Sequence, residues 1–179
     1  DRRALIPIDH SLGRGVHIPR RLQRRVRQAP YEVTLDQDFT AVIDACAAPS
    51  EQRTDTWINK DIRQLYIALH KMGFAHSIEV WLDGALIGGL YGVALRAAFF
   101  GESMFSRKSD ASKIALVHLM ARLCHGNFLL LDAQFTNDHL QQFGVTLIIW
   151  KNCLKPLILS DQKSSPLSRY VRWMAILRQ

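Results

Sequence analysis

With 179 residues, 48% of them hydrophobic and 22% charged, the chain has the length and balance of one folded domain, which excludes a disordered or low-complexity protein. Its apolar runs are short and broken by Gly or charge, so neither a membrane-spanning helix nor a signal-peptide core is expected, and the cytoplasm is the expected compartment. The net charge of +7 is gathered at one end, where residues 1–27 hold eight Arg against Asp1 and Asp9.

Residues 1–18 mix Pro7, Gly13 and Gly15 with single apolar residues and are expected as extended chain and turns. Over 19–28 the spacing predicts a short helix: Leu22 and Val26 form a thin apolar stripe, and Arg20, Arg21, Arg24, Arg25 and Arg27 cover the rest. Such a guanidinium surface suits phosphates, and equally a solvated, solubilising face. A strand is expected over 31–35, and Asp36 can cap a helix carrying Phe39, Val42, Ile43 and Cys46 on one face. A second amphipathic helix is expected over 59–72, with Ile62, Leu65, Tyr66 and Leu69 inward and Gly73 at its end.

From His76 the period falls to two, Asp83-Gly84 is a hairpin turn, and strands over 85–95 and 97–101 complete a meander. Gly88, Gly89 and Gly92 within it suggest a bulge or a close approach of another segment. Ser109 or Asp110 can cap a long helix to His125, ended by Gly126. The apolar triplet Leu129-Leu130-Leu131 then leads into Asp132 and Gln134, which a strand's period of two turns to one face. That pattern fits a strand ending in two solvated side chains, or two polar groups sharing one wall of a site. A short helix from Asn137 to Gly144, a strand over 145–150 and a last helix over 167–177 finish an α+β arrangement around one mixed, mostly antiparallel sheet. Cys46, Cys124 and Cys153 lie far apart with no CxxC pair, so packed thiols are expected, without a disulfide framework or zinc knuckle. His76, His118, His125 and His139 show no metal-ligand spacing.

Several ordered words of this sequence resemble the leucyl/phenylalanyl-tRNA–protein transferases, bacterial enzymes of the N-degron pathway. They are His76-Ser77-Ile78-Glu79-Val80-Trp81, Gly88-Gly89-Leu90-Tyr91-Gly92-Val93, Gly101-Glu102-Ser103-Met104-Phe105-Ser106-Arg107, Ala111-Ser112-Lys113, Asp132-Ala133-Gln134 and Asn137-Asp138-His139. The resemblance implies a GNAT-like catalytic domain over residues 31–179, preceded by a basic segment 1–30 that is the remainder of a truncated N-terminal subdomain. It implies transfer of Leu, Phe or Met from aminoacyl-tRNA to proteins beginning with Arg or Lys, marking them for degradation. A monomer working without a membrane is expected.

Aminolysis of an activated ester needs an oriented neutral amine and donors for the developing oxyanion, and no metal or redox cofactor. On the family's pattern Asp132 and Gln134 are the catalytic pair: Asp132 would hold an amine or polarise its neighbour, and Gln134 would orient the attacking amine. Leu90, Phe99, Met104, Leu116, Leu119 and Leu131 fall at positions matching the family's side-chain pocket, with core packing as the alternative for each. Trp57 and Tyr66 match aromatics near the terminal adenosine, where stacking is worth roughly 1–3 kcal/mol, or else form a core pair. Glu102 matches an acidic mouth for the acceptor's N-terminus, or pairs with Arg107 or Lys113. The five Arg of residues 20–27 are the expected tRNA phosphate contacts.

The chain lacks the family's Trp-Trp-Ser-Pro run, so it reads as a piece of a longer protein, and Leu119 stands where a larger aromatic is associated with the pocket. Two rivals stand beside the transferase: a non-catalytic tRNA- or protein-binding remnant, and a GNAT acetyltransferase. The second is opposed by the absence of an Arg/Gln-x-x-Gly-x-Gly/Ala turn before residue 109.

Overall fold

The structure is a computed structural model that describes residues 2–8, 16–28, 30–49, 56–134, 143 and 145–149. Its elements run β1 (Arg2–Pro7), α1 (Arg20–Gln28), β2 (Glu32–Leu35), α2 (Phe39–Ala47), α3 (Lys60–Lys71), β3 (Ala75–Leu82), β4 (Ala85–Leu95), β5 (Ala98–Ser106), α4 (Ala111–His125), β6 (Leu130–Gln134) and β7 (Thr146–Ile149). The strands form one sheet in the order β2-β3-β4-β5-β6-β1-β7. Every neighbouring pair is antiparallel except β5 with β6. The expected helix before Gly144, the helix over 167–177, Cys153 and the run Asn137-Asp138-His139 lie outside the described residues.

Alternation along the strands gives the sheet two apolar faces, and among the described residues each takes a pair of helices. On one face Phe39, Val42, Ile43 and Cys46 of α2 join Ile62 and Tyr66 of α3 over Tyr91, Val93 and Phe100. On the other, Leu22 of α1 and the α4 residues Ile114, Leu119, Met120 and Leu123 pack on Ile78, Val80, Leu90 and Leu131. Neighbours on one strand therefore serve opposite cores, as Leu130 and Leu131 do. Gly88 lets α4 approach closely, since a Cβ there would lie 2.5 Å from the Ala111 Cβ.

The Asp83-Gly84 turn has both residues at positive φ, 51° and 76°, as a two-residue hairpin of the expected hand requires. Asn59 caps α3 through its side chain, accepting from the Ile62 N–H at 2.9 Å.

Several expectations are corrected. Asp36 does not cap α2; Asp38 does, accepting from the Ala41 N–H at 2.9 Å. Asp36 instead sits at φ 57° and accepts from the Ser77 N–H at 2.8 Å and from His76 Nδ1 at 2.7 Å. Asp110 occupies the N-cap position of α4 without a side-chain cap bond. Ser106 Oγ accepts from the Ser112 N–H at 2.8 Å, and Asp110 pairs with Lys113. Residues 2–7, expected as extended chain and turns, form an interior strand paired on both sides. Of the thiols, Cys46 is buried and Cys124 is exposed.

Candidate active site

The sheet opens where its one parallel pair ends. β5 and β6 are in register from Ala98 with Leu130 to Phe100 with Asp132; beyond that β5 follows β4 to Ser106, and β6 is described as far as Gln134. Between them lies a cavity of about 230 Å³. An apolar cavity of about 150 Å³ accepts a benzene ring, so this one has room for a single leucyl or phenylalanyl side chain. Leu90, Leu116, Leu119, Leu131 and Ala133 build its wall, and Glu102, Ser103 and Met104, all half-buried, stand at its mouth.

The Gln134 amide closes the gap between the parted strands. Its Nε2 donates to the Gly101 carbonyl at 3.0 Å and to Glu102 Oε2 at 2.9 Å. Gln134 itself has φ 65°, a left-handed conformation unusual for a residue with a Cβ. It lies at a bulge, since Leu5 pairs with Asp132 but the preceding Ala4 pairs with Gln134, leaving Ala133 as the extra residue.

Asp132 is fully buried, and neither it nor Gln134 lines the cavity. The alternation that turns Leu131 and Ala133 into the cavity places Asp132 on the Leu130 side of the strand. Both its oxygens are held by the protein. Arg3 Nη2 and Nε donate to Oδ2 at 2.6 and 3.0 Å, Nε reaches Oδ1 at 3.3 Å, and the Gln134 backbone N–H donates to Oδ1 at 2.7 Å.

Of the six side chains expected in the pocket, Leu90, Met104, Leu116, Leu119 and Leu131 line the cavity. Phe99 does not: it is buried in the core on the α4 side, its ring covering the space a Cβ at Gly92 would need. Glu102 is at the mouth and accepts a hydrogen bond from Gln134; Lys113 pairs with Asp110, and Arg107 donates to the Leu86 carbonyl. Tyr66 is wholly buried, edge-on to Tyr91 at 5.1 Å between ring centroids. Trp57 is 46% exposed and edge-on to Tyr66 at 6.3 Å. Tyr91 also borders the cavity, so the three rings run from the surface to the pocket.

On α1 the five Arg are exposed and Leu22 is buried. Arg21 approaches Asp110 at 3.9 Å, and Arg25 donates to the Tyr31 hydroxyl at 3.4 Å. His76 is bound to Asp36, and that hydrogen bond holds the imidazole above its ordinary 6.5. Burial pushes the Asp36 carboxyl up, but the hydrogen bonds from His76 and the Ser77 N–H outweigh it, so the group lies below its ordinary 3.8.

Sequence reasoning missed Arg3 and the polar mouth residue Ser103. Arg3 falls in Asp1-Arg2-Arg3-Ala4-Leu5, which is similar to the family's Asp-Pro-Arg segment, but no role is read from it, and its partner is 129 residues away, beyond the reach of any local spacing rule. Among the described residues no group of three or more His, Cys, Asp or Glu could hold a metal ion, and no helix is long and apolar enough to cross a membrane.

Comparison with known proteins places this geometry in context. A conserved protein of unknown function from Staphylococcus epidermidis ATCC 12228 superposes with a TM-score of 0.50 at 11% identity, over 82% of this chain and 57% of that one, a likeness that speaks to the fold alone. The leucyl/phenylalanyl-tRNA–protein transferase of Phenylobacterium zucineum (strain HLK1) is 58% identical over 144 residues, 80% of this chain and 63% of that protein. Those of Hyphomonas neptunium (strain ATCC 15444) and Rhodopseudomonas palustris (strain TIE-1) are also 58% identical, and the matches span 54% and 62% of their lengths. The chain thus spans roughly three-fifths of the curated relatives it matches. The family model described as leucyl/phenylalanyl-tRNA protein transferase matches residues 12–157, and with relatives this similar the chain belongs to that family.

Proposed function

We propose that this protein moves Leu, Phe or Met from aminoacyl-tRNA to the α-amine of proteins beginning with Arg or Lys, as a cytoplasmic, monomeric enzyme of the N-degron pathway. The observation that carries this reading is an apolar cavity sized for one side chain, with the Glu102 carboxylate in its lining and the Gln134 amide hydrogen-bonded to that carboxylate from outside the lining. The donor's side chain enters between Leu90, Leu116, Leu119 and Leu131, and its ester lies at the mouth. The acceptor nitrogen bonds to the ester carbonyl carbon, the bond from that carbon to the ribose 3′ oxygen breaks, and the amine's proton ends on the leaving oxygen. An α-amino group titrates near 8, so a useful fraction is already neutral at physiological pH, and placement matters more than base strength.

In this scheme Gln134 orients the amine and Glu102 receives the positively charged acceptor side chain through a charge-assisted hydrogen bond. Trp57 is the exposed platform on which the terminal adenine stacks, with Tyr66 packed behind it. Arg20, Arg21, Arg24, Arg25 and Arg27 track tRNA phosphates. The basic segment 1–30 supplies this surface and the strand β1 to a GNAT-like catalytic domain over residues 31–179. The parting of the parallel strands β5 and β6 supports the GNAT-like description.

The test is transfer of radiolabelled Leu, Phe and Met from charged tRNA to peptides starting with Arg, Lys or Ala. Label on the Arg and Lys peptides alone, abolished by ribonuclease pretreatment, is the expected result. Absence of transfer with charged tRNA still bound would favour a non-catalytic binding remnant, and tight acetyl-CoA binding would favour an acetyltransferase.

A further inference from the structure

We infer that Arg3 is a positioning residue of this site, acting through Asp132 on the conformation of Gln134. The inference rests on the aminoacyl-transfer reading, but its central claim concerns geometry and can be tested without turnover. Three observations meet at one point of the fold: a fully buried carboxylate, a guanidinium bound side-on to it, and a non-glycine residue held at positive φ.

Gln134 reaches the Gly101 carbonyl and Glu102 only because the bulge at Ala133 turns its backbone into the left-handed region. That conformation is uphill for a side chain with a Cβ and needs support from its surroundings. The support is the 2.7 Å hydrogen bond from the Gln134 N–H to Asp132 Oδ1. The carboxylate stays in place because Arg3 fixes it from the adjacent strand through Nε and Nη2. A planar fork of donors sets the plane of a carboxylate as well as its charge. The chain of command therefore runs from Arg3 to Asp132, to the Gln134 backbone, and finally to the Gln134 amide, which holds Gly101 and Glu102 of the cavity lining. Asp132, buried and engaged on both oxygens, is placed to shape Gln134 and not to touch the substrates. Arg3 is then needed for the reacting geometry, although it touches neither donor nor acceptor.

The experiment compares the parent chain with Arg3→Ala and Arg3→Lys, using two readouts. The first is amide hydrogen exchange at Gln134, with Ser77 and Glu79 of β3 as controls for the fold. Exchange at Gln134 is expected to quicken at least about tenfold in Arg3→Ala while the controls hold, and millimolar methylguanidinium, which restores a planar donor fork, is expected to slow it again. Ethylammonium, a single-point cation, is expected not to. The second readout is transfer kinetics. A misplacement of about 1 Å can cost about 100-fold, so kcat is expected to fall by about that factor with KM for charged tRNA within about threefold. Arg3→Lys is expected to fall between, and it carries the test if Arg3→Ala loses the β3 protection.

Unchanged Gln134 exchange in the folded variants would overturn the inference, as would equal rescue by the two cations. If the parent chain transfers nothing while Gln134 exchange responds as described, the functional reading fails and the positioning role stands.

Discussion

Replacing Gly88 by Ala tests how tightly the cavity is framed. Gly88 lies in the middle of the sheet, paired with Val80 on one side and Ser106 on the other, so its backbone cannot retreat. A Cβ there would stand 2.5 Å from the Ala111 Cβ, 3.0 Å from the Ala111 carbonyl carbon and 3.2 Å from the Ser112 nitrogen. Carbon pairs settle at about 3.5–4.0 Å, so the first turn of α4 must move by about 1 Å. Such overpacking costs about 1–3 kcal/mol, offset by about 0.4–1 kcal/mol from the reduced freedom of the unfolded chain. The overlap wins, and a net loss of about 1–2 kcal/mol is expected. For a chain of this length that lowers Tm by about 2–8 °C. Urea unfolding followed by tryptophan fluorescence measures the loss directly. A double-mutant cycle with Ala111→Gly locates it, because removing the opposing methyl should return part of the loss, with a coupling of about 1 kcal/mol. Stability within about 0.3 kcal/mol of the parent, or strictly additive single and double variants, would refute the contact argument. As α4 also carries Leu116 and Leu119, the same displacement should widen the cavity.

Three further outcomes follow from the geometry. The stabilising charge of His76 is fully present below its ordinary 6.5 and is lost as pH rises through its raised value. That of Asp36 is present above 3.8 and is lost as pH falls through its lowered value. The stability gap between the parent and His76→Gln is therefore expected to be widest between about pH 4 and 6.5 and to narrow above it, as read from urea midpoints across pH. Leu119→Phe places a larger ring against the cavity and should disfavour phenylalanyl relative to leucyl donors by about 10–200-fold, a ratio taken from competing labelled donors. Asn59→Ala and Asp38→Ala each remove a true side-chain cap and should cost about 1 kcal/mol, whereas Asp110→Ala removes no cap and loses its ion pairs with Lys113 and Arg21; thermal melts separate the two outcomes.

The parts of the fold legible in the sequence are those set by neighbours. The α2 face of Phe39, Val42, Ile43 and Cys46 and the α4 face of Ile114, Val117, Leu119, Met120 and Leu123 are buried as their spacing predicts. The Asp83-Gly84 hairpin and the β3–β4 ladder follow from a period of two and one turn dipeptide. The parts that were not legible depend on long-range pairing. β1 is six residues long, ends in Pro7, and becomes a strand only because β6 and β7 flank it. Asp36 and Asp38 are equally good caps by residue type, and only the arrival of His76 and Ser77 decides which one serves. At the site, the apolar wall could be named from resemblance, because pocket positions recur at helix and strand spacing. The face on which Asp132 lies, and the guanidinium that meets it, could not.

The placement of β1 between β6 and β7 also gives the molecule an order of assembly during synthesis. Of the strands described, β1 leaves the ribosome first, yet its partners are β6 and β7. At about 5–20 residues per second, the 129 residues between Arg3 and Asp132 take roughly 6–25 s to add. The meander of β2, β3, β4 and β5, with α2 and α3 on one face, can form in that interval from contacts close in sequence. The arginine surface of α1 is then on display well before any cavity mouth exists. Chain growth itself thus orders the molecule in time: the basic helix α1 precedes the cavity, because one wall of that cavity, Leu131 and Ala133, waits for β6.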